Sequence, residues 1–185
     1  VAKADVQRMD RLISDISDAS RVDSQLAKAK FEPIDLGDMI EQLLQAREDR
    51  GSDKDVNIAF ARPRRTIATV MGEDVRLERM LTNLIDNAAK YSPENSTITI
   101  ETRAKPGFAG IAVSDQGSGI APDVQEKVFA EFFRVAPESH VRGVGLGLSI
   151  VKRIAELHRG HVGVSSTPGQ GTTVTLWLPE SSRKA

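Results

Sequence analysis

The chain has 185 residues, a net charge of −1, no cysteine, 39% hydrophobic and only 4% aromatic residues. That length suits one main domain of about 150 residues plus an appendage, with an aliphatic core. The balanced charge gives no general field for nucleic acid or anionic membrane, and the lack of cysteine excludes disulfides and thiolate metal sites. No apolar stretch approaches the ~18 residues of a membrane span, and no signal-peptide pattern is visible. The chain opens in mid-pattern at Val1, on what reads as an interior helix, so a piece of a longer protein is expected.

Residues 5–26 read as a helix, with Val6, Met9, Ile13, Ile16 and Ser20 at 3-4-3-4 spacing and Leu12 and Ala19 widening the stripe. Such a seam belongs either to a dimer helix of a bundle or to a helix packed on its own domain. Residues 27–33 read as a polar linker closed by Pro33. An amphipathic helix is expected at 36–49 behind Asp35 as N-cap. Short strands are expected at 56–61 and 66–70, then a helix at 73–91. Strands at 97–104 and 108–115 pair through a turn near Lys105-Pro106-Gly107. Residues 122–143 mix a short helix with loop, a helix covers about 145–158, and strands at 161–166 and 172–178 flank the turn Thr167–Gly171. The order predicts a mixed, largely antiparallel sheet covered by helices on one face.

On the 73–91 helix, at about 100° per residue, Asn83, Asn87 and Lys90 fall within about 60° of one another. Leu77, Leu81, Leu84, Ile85 and Ala88 cluster on the opposite side. Asparagine is a mediocre helix former, so two on one stripe ask for a reason. Amide oxygens suit magnesium held together with nucleotide phosphates, and Lys90 could balance phosphate charge; a solvated polar face is the alternative. Tyr91 lies just beyond and could cover a base.

The stretch Ile111–Asp115 reads as a strand ending in a carboxylate, followed at once by Gly117 and Gly119. A carboxylate there can accept from an adenine 6-amino group and opposes the guanine carbonyl, because an unpaired buried acceptor costs about 1–3 kcal/mol. A plain strand-to-turn connection is the alternative. Further on, Gly143-Val144-Gly145-Leu146-Gly147 precedes the helix that continues through Leu148. Glycines ahead of a helix N-terminus free backbone N–H groups for phosphate. The spacing is neither the dinucleotide fingerprint nor a P-loop. Before this glycine run come Phe129–Arg134 and then the polar Val135–Arg142, which looks like a mobile loop over a nucleotide; Arg134 and Arg142 are candidate γ-phosphate contacts. Core packing is the alternative for Phe132 and Phe133.

Taken in this order, residues 31–180 closely resemble the catalytic ATP-binding domain of bacterial sensor histidine kinases, in the wider Bergerat (GHKL) group with gyrase B, Hsp90 and MutL. Asn83–Asn87 with Lys90 and Tyr91 looks like the N box, Asp115–Gly119 the G1 box, Phe129–Arg134 the F box, Gly143–Gly147 the G2 box and Gly169–Thr172 the G3 turn. Residues 5–26, with Arg8–Val22, resemble the second helix of the dimerisation and phosphotransfer hairpin.

The resemblance implies an α+β fold: a two-layer α/β sandwich preceded by one long helix, with residues 1–30 as partial hairpin helix and linker, 31–180 as ATP-binding domain and 181–185 as tail. It implies that Asn87 with Asn83 serves Mg2+, that Asp115 binds adenine and that Arg134 supports the transferred phosphate. Lys90, Tyr91, Gly117, Gly119, Ile120, Arg142, Gly143, Gly145, Leu146, Gly147, Leu148 and Thr172 complete the expected ATP site.

The implied activity is transfer of the ATP γ-phosphate to a histidine, then to an aspartate of a response regulator receiver domain. None of His140, His158 and His161 has the acceptor's context. The expected setting is the cytoplasmic domain of an inner-membrane kinase that dimerises through the hairpin, with no membrane or nucleic-acid contact by these residues. Two rivals remain. One is an ATPase or serine kinase of the same superfamily, disfavoured by Asn83 where ATPases usually carry a glutamate base. The other is a nucleotide-binding module without catalysis.

Overall fold

The structure is a computed structural model that describes residues 30–51, 55–63, 69–135 and 145–181. The helix expected at 5–26 lies outside the described residues, as do Arg142 and Gly143. Asp35 caps the first described helix, α1 (Leu36–Arg50), as its Oδ1 accepts from the N–H groups of Gly37 and Asp38 at 2.8 and 3.0 Å. Gly51 ends α1 in the left-handed conformation, φ 60°, and its N–H returns to the last turn.

One expectation is corrected just before α1. The linker read through Pro33 is in part a strand, β1 (Glu32–Asp35), antiparallel to β3 (Thr69–Gly72). Proline has no N–H for a ladder, but β1 is the outer strand of this ribbon, where proline is tolerated. The ribbon buries Ile34 and Val70 under the domain. The strand expected at 66–70 correspondingly starts at Thr69 and runs on to Gly72, with 64–68 outside the described residues.

The main sheet has five strands in the order β2 (Val56–Phe60), β4 (Ser96–Lys105), β5 (Phe108–Ser114), β7 (Gly171–Pro179), β6 (His161–Thr167). Among the described strands only the β2–β4 pair is parallel. Register puts Ile58 beside Ile98, Ile100 beside Val113, Ile111 beside Leu176 and Leu176 beside Val162. These rows form one apolar face, and the buried stripes of three helices complete the same core. Helix α2 (Asp74–Tyr91) contributes Leu77, Met80, Leu81, Leu84, Ile85 and Ala88; α3 (Gly147–Leu157) contributes Ile150, Val151, Ile154 and Ala155. Full burial of each such leucine or isoleucine is worth about 1.5–3 kcal/mol. The opposite face carries Glu101, Arg103, Ser165 and Trp177, alternating with the buried set. Lys105 Nζ lies 4.3 Å from the Trp177 ring centroid. Within the described part of 122–143, where a short helix is expected, there are two 3₁₀ turns, Pro122–Val124 and Lys127–Phe129.

Two polar links set how the helices lie. Arg47 on α1, 5% exposed, pairs with Asp86 on α2 at 2.8 Å. At the other end of α2, buried His158 closes α3: its Nδ1 is 2.8 Å from the Ile154 carbonyl, and its Nε2 accepts from the Glu73 N–H at 3.1 Å. That N–H is one of the first donors of α2, which the helix itself leaves unpaired. Both ends of α2 are thus tied to neighbouring helices before any ligand is considered.

Candidate nucleotide-binding site

The site is built where the C-terminal half of α2, the start of α3, the loop after β5 and the β6–β7 turn meet. Asp115 leaves the sheet one residue past β5, with its N–H still bonded to the Thr172 carbonyl at 2.8 Å. Its side chain turns inward. Oδ1 accepts from the Gly117 N–H at 2.8 Å and the Thr172 N–H at 3.1 Å. Burial pushes the carboxyl above the usual carboxylate range, and those two N–H bonds pull it back in part. With Oδ1 holding the loop, Oδ2 is the oxygen left to accept from a ligand.

The glycines around Asp115 are there for space. A Cβ on Gly171, φ 97°, would collide with the Asp115 carbonyl, and one on Gly119, φ 69°, would collide with the Thr167 carbonyl. A Cβ on Gly117 would stand 2.5 Å from the Tyr91 carbonyl, so the end of α2 and this loop are in direct contact. The Gly169 N–H donates to Ser118 at 2.7 Å and closes the floor. Ile120 follows, its N–H donated to Ser166 Oγ at 2.8 Å.

The residues expected to hold phosphate are assembled separately. Asn87 lies against Gly147, where a Cβ would come within 3.1 Å of the amide nitrogen. This places an α2 amide beside the first residue of α3. Leu146 is buried and Leu148 partly buried, anchoring that N-terminus in the core. Gly145, φ 81°, has no room for a side chain against Phe133, and its carbonyl accepts the Phe132 N–H at 3.0 Å. The core alternative for Phe132 fails: it is 61% exposed with φ 62°. Val128 is the apolar residue of that segment that goes inside. Phe133 and Arg134 are half-buried. Lys90 extends over Tyr91, with Nζ 3.2 Å from its hydroxyl and 4.7 Å from its ring centroid.

Asn83, one turn before Asn87, carries a buried amide nitrogen with no hydrogen-bond partner. An amide can be turned so that its oxygen takes that place. Turned that way, the Asn83 amide oxygen is of the kind that magnesium takes as a ligand. No group of three or more His, Cys, Asp or Glu side chains able to hold a metal exists among the described residues. The residues present fit a magnesium ion that takes most of its ligands from phosphate and water and the rest from amides. Asp86 is turned away from this stripe onto Arg47.

Of the expected site residues, the structure thus brings together Asn83, Asn87, Lys90, Tyr91, Asp115, Gly117, Gly119, Ile120, Gly145, Leu146, Gly147, Leu148 and Thr172. Sequence reasoning missed Ser166 and Gln125, which carry the floor. Gln125 Nε2 donates to the carbonyls of Ile120 and Ser166 at 3.0 and 2.8 Å. Nothing in the spacing of a serine and a glutamine 41 residues apart marks such a pair.

Comparison with known proteins decides the family. The profile of the histidine kinase-, DNA gyrase B- and HSP90-like ATPases matches residues 72–182. The chain belongs to that family. Sensor-like histidine kinase SenX3 of Mycolicibacterium smegmatis is 34% identical over 96% of this chain and 46% of its own length. Sensor protein ChvG of Rhizobium meliloti is 38% identical over 97% of this chain and 33% of its own. The chain therefore spans between about a third and a half of these relatives. Among solved structures, the mycobacterial sensor histidine kinase MprB superimposes with a TM-score of 0.68 at 30% identity, over 82% of this chain and 98% of that one. Full-length ShkA in complex with AMPPNP gives 0.74 at 27% identity, over 97% of this chain and 38% of that one. The fold is the two-layer α/β sandwich of this family, and the chain carries the ATP-binding catalytic domain of the sensor histidine kinase type. The expected fold class and family both hold.

Proposed function

We propose that this chain binds ATP with Mg2+ and presents the γ-phosphate to a histidine carried outside these residues, for relay to an aspartate on a response regulator receiver domain. The observation that carries the reading is the half-buried Asp115 carboxylate. One of its oxygens is spent on two backbone N–H groups, and the other is left to an exocyclic amine, on a floor too tight for any side chain. A 6-amino purine satisfies that oxygen and a 6-oxo purine does not.

The division of labour follows from position. Asp115, Gly117, Gly119, Ile120 and Thr172 hold the base, and Tyr91 covers it. Lys90, Leu146, Gly147 and Leu148, with Gly143, Gly145 and Arg142 of the loop, hold the phosphates. Asn83 and Asn87 hold magnesium, which when bound offsets phosphate charge. Arg134 stabilises charge on the transferred group. Phosphoryl transfer asks a protein mainly for positioning and charge stabilisation, and these residues supply both.

The acceptor is placed elsewhere because His158 has both ring nitrogens engaged inside the fold, and His161 Nε2 lies 2.8 Å from Lys105 Nζ on the far face of the sheet. The remaining division is part of the same proposal: residues 1–30 as dimer helix and linker, 31–180 as ATP-binding domain, 181–185 as tail, on the cytoplasmic side of an inner-membrane kinase. No helix among the described residues is long and apolar enough to cross a membrane.

Calorimetric titration with ATP and GTP, with and without magnesium, tests the reading. Magnesium-dependent ATP binding with little GTP binding is expected. Equal binding of both, or none of either, would overturn it.

A further inference from the structure

Beneath the base floor, one hydroxyl joins three segments. Ser166 on β6 accepts the Ile120 N–H at 2.8 Å, contacts the Gly171 carbonyl at 2.8 Å and lies 2.9 Å from Thr172 Oγ1. A hydroxyl has one proton to give and two lone pairs. A carbonyl can only accept, so the Ser166 proton goes to Gly171. An N–H can only donate, so Ile120 fills one lone pair. The remaining lone pair faces Thr172, whose own hydroxyl must then donate to it.

The Thr172 proton is therefore committed away from any ligand, and what its oxygen keeps is acceptor capacity. The same residue's N–H holds Asp115 Oδ1 at 3.1 Å. Gln125 fixes the arrangement from below by binding the carbonyls of both Ile120 and Ser166.

We infer that Ser166 is a positioning residue for base selection: by taking the Thr172 proton it makes the pocket present two acceptors, Thr172 Oγ1 and Asp115 Oδ2, to the 6-position of a purine. A 6-amino group carries two hydrogens and meets both, whereas a 6-oxo group meets neither. In the absence of Ser166 the Thr172 hydroxyl is free to turn and donate, and a 6-oxo base gains a partner.

The inference rests on the nucleotide reading above, and inosine triphosphate separates the two because it carries a 6-oxo group in place of the amine. Calorimetry with ATP and with inosine triphosphate is run on the 185-residue chain and on Ser166→Ala, Thr172→Val and the double variant, with melting temperatures recorded. The ATP preference of Ser166→Ala is expected to fall about five- to ten-fold, the worth of one hydrogen bond. Thr172→Val should fall similarly, and the double variant no further than either alone. Ser166→Thr, which keeps the hydroxyl, should restore the preference.

A parent chain that binds ATP, with Ser166→Ala weakening both nucleotides equally or neither, overturns the inference and leaves the site standing. A parent chain that binds neither nucleotide overturns both. If Ser166→Ala does not fold, Thr172→Val decides alone, and an unchanged preference there overturns the inference.

Discussion

Asp115 illustrates how a side chain proposed to serve a ligand can do so at the expense of the fold. Burial raises its pKa, so the native state holds the proton more tightly than the unfolded chain. For such an acid, stability falls as pH rises from the ordinary carboxylate range through the native value, and at neutral pH the charge is a net cost. Asp115→Asn removes the charge, while its amide oxygen still accepts from Gly117 and Thr172. The expected outcome is a melting temperature equal to or above that of the parent at pH 7. ATP affinity should drop about 100-fold or more, because an amide N–H₂ now faces the 6-amino group. ATP affinity within two-fold of the parent would remove Asp115 from the base contact. Asp115, Gly117, Asn87 and Gly147 were singled out in the sequence by the joint resemblance of their motifs, since residue type and spacing alone left a solvated face or a plain turn open. Ser166 was not: its role exists only once β6–β7 pairing carries it to Ile120, 46 residues away in the chain.

At the scale of elements, long periodic stripes made α1, α2 and α3 readable to within two residues or so, as expected where apolar periodicity is strong. The strand β1 was hidden because four residues containing Pro33 have no period to read, and only the pairing with β3 makes them a strand. The junction of α3 with α2 was equally silent, since nothing in sequence couples His158 to Glu73, 85 positions earlier. It has a pH consequence. Burial is the main cause that holds His158 below its usual pKa, and nearby Arg76 adds to it; the Ile154 carbonyl and Glu73 act the other way.

The native imidazole is neutral, with Nδ1–H on Ile154 and Nε2 accepting from Glu73. Below about 6.5 the unfolded chain takes up a proton that the native state resists. The stability contributed by His158 is therefore complete above that value and is lost as pH falls from it toward the native pKa. His158→Ala is expected to cost about 1–3 kcal/mol at pH 7.5, by orphaning the Glu73 N–H. The difference between parent and variant in urea unfolding should narrow at pH 5.5. A difference that stays constant across that range would mean that His158 does not titrate between the two states.

At the scale of the molecule, the proposed function separates holding ATP from using it. The helices and turns bring the groups proposed to hold base, phosphate and magnesium to one end of a sheet, while the described histidines are committed to structure. His158 is 4% exposed and doubly bonded, and His161 sits on the sheet face opposite the described helices, beside Lys105 and Phe108. At 100 times its dissociation constant ATP would stabilise the native state by about 2.7 kcal/mol. For a chain of this size that is a rise of roughly 5–10 °C in melting temperature. Phosphoryl transfer additionally needs a nucleophile in line with the γ-phosphate, and a domain that only positions ATP cannot supply one. Incubation of the 185-residue chain with magnesium and γ-labelled ATP should therefore give the thermal shift without acid-labile, alkali-stable label on the protein. Label of that kind would identify a phosphohistidine within these residues and overturn the separation. A thermal shift missing with ATP but present with GTP would instead overturn the base contact on which the rest depends.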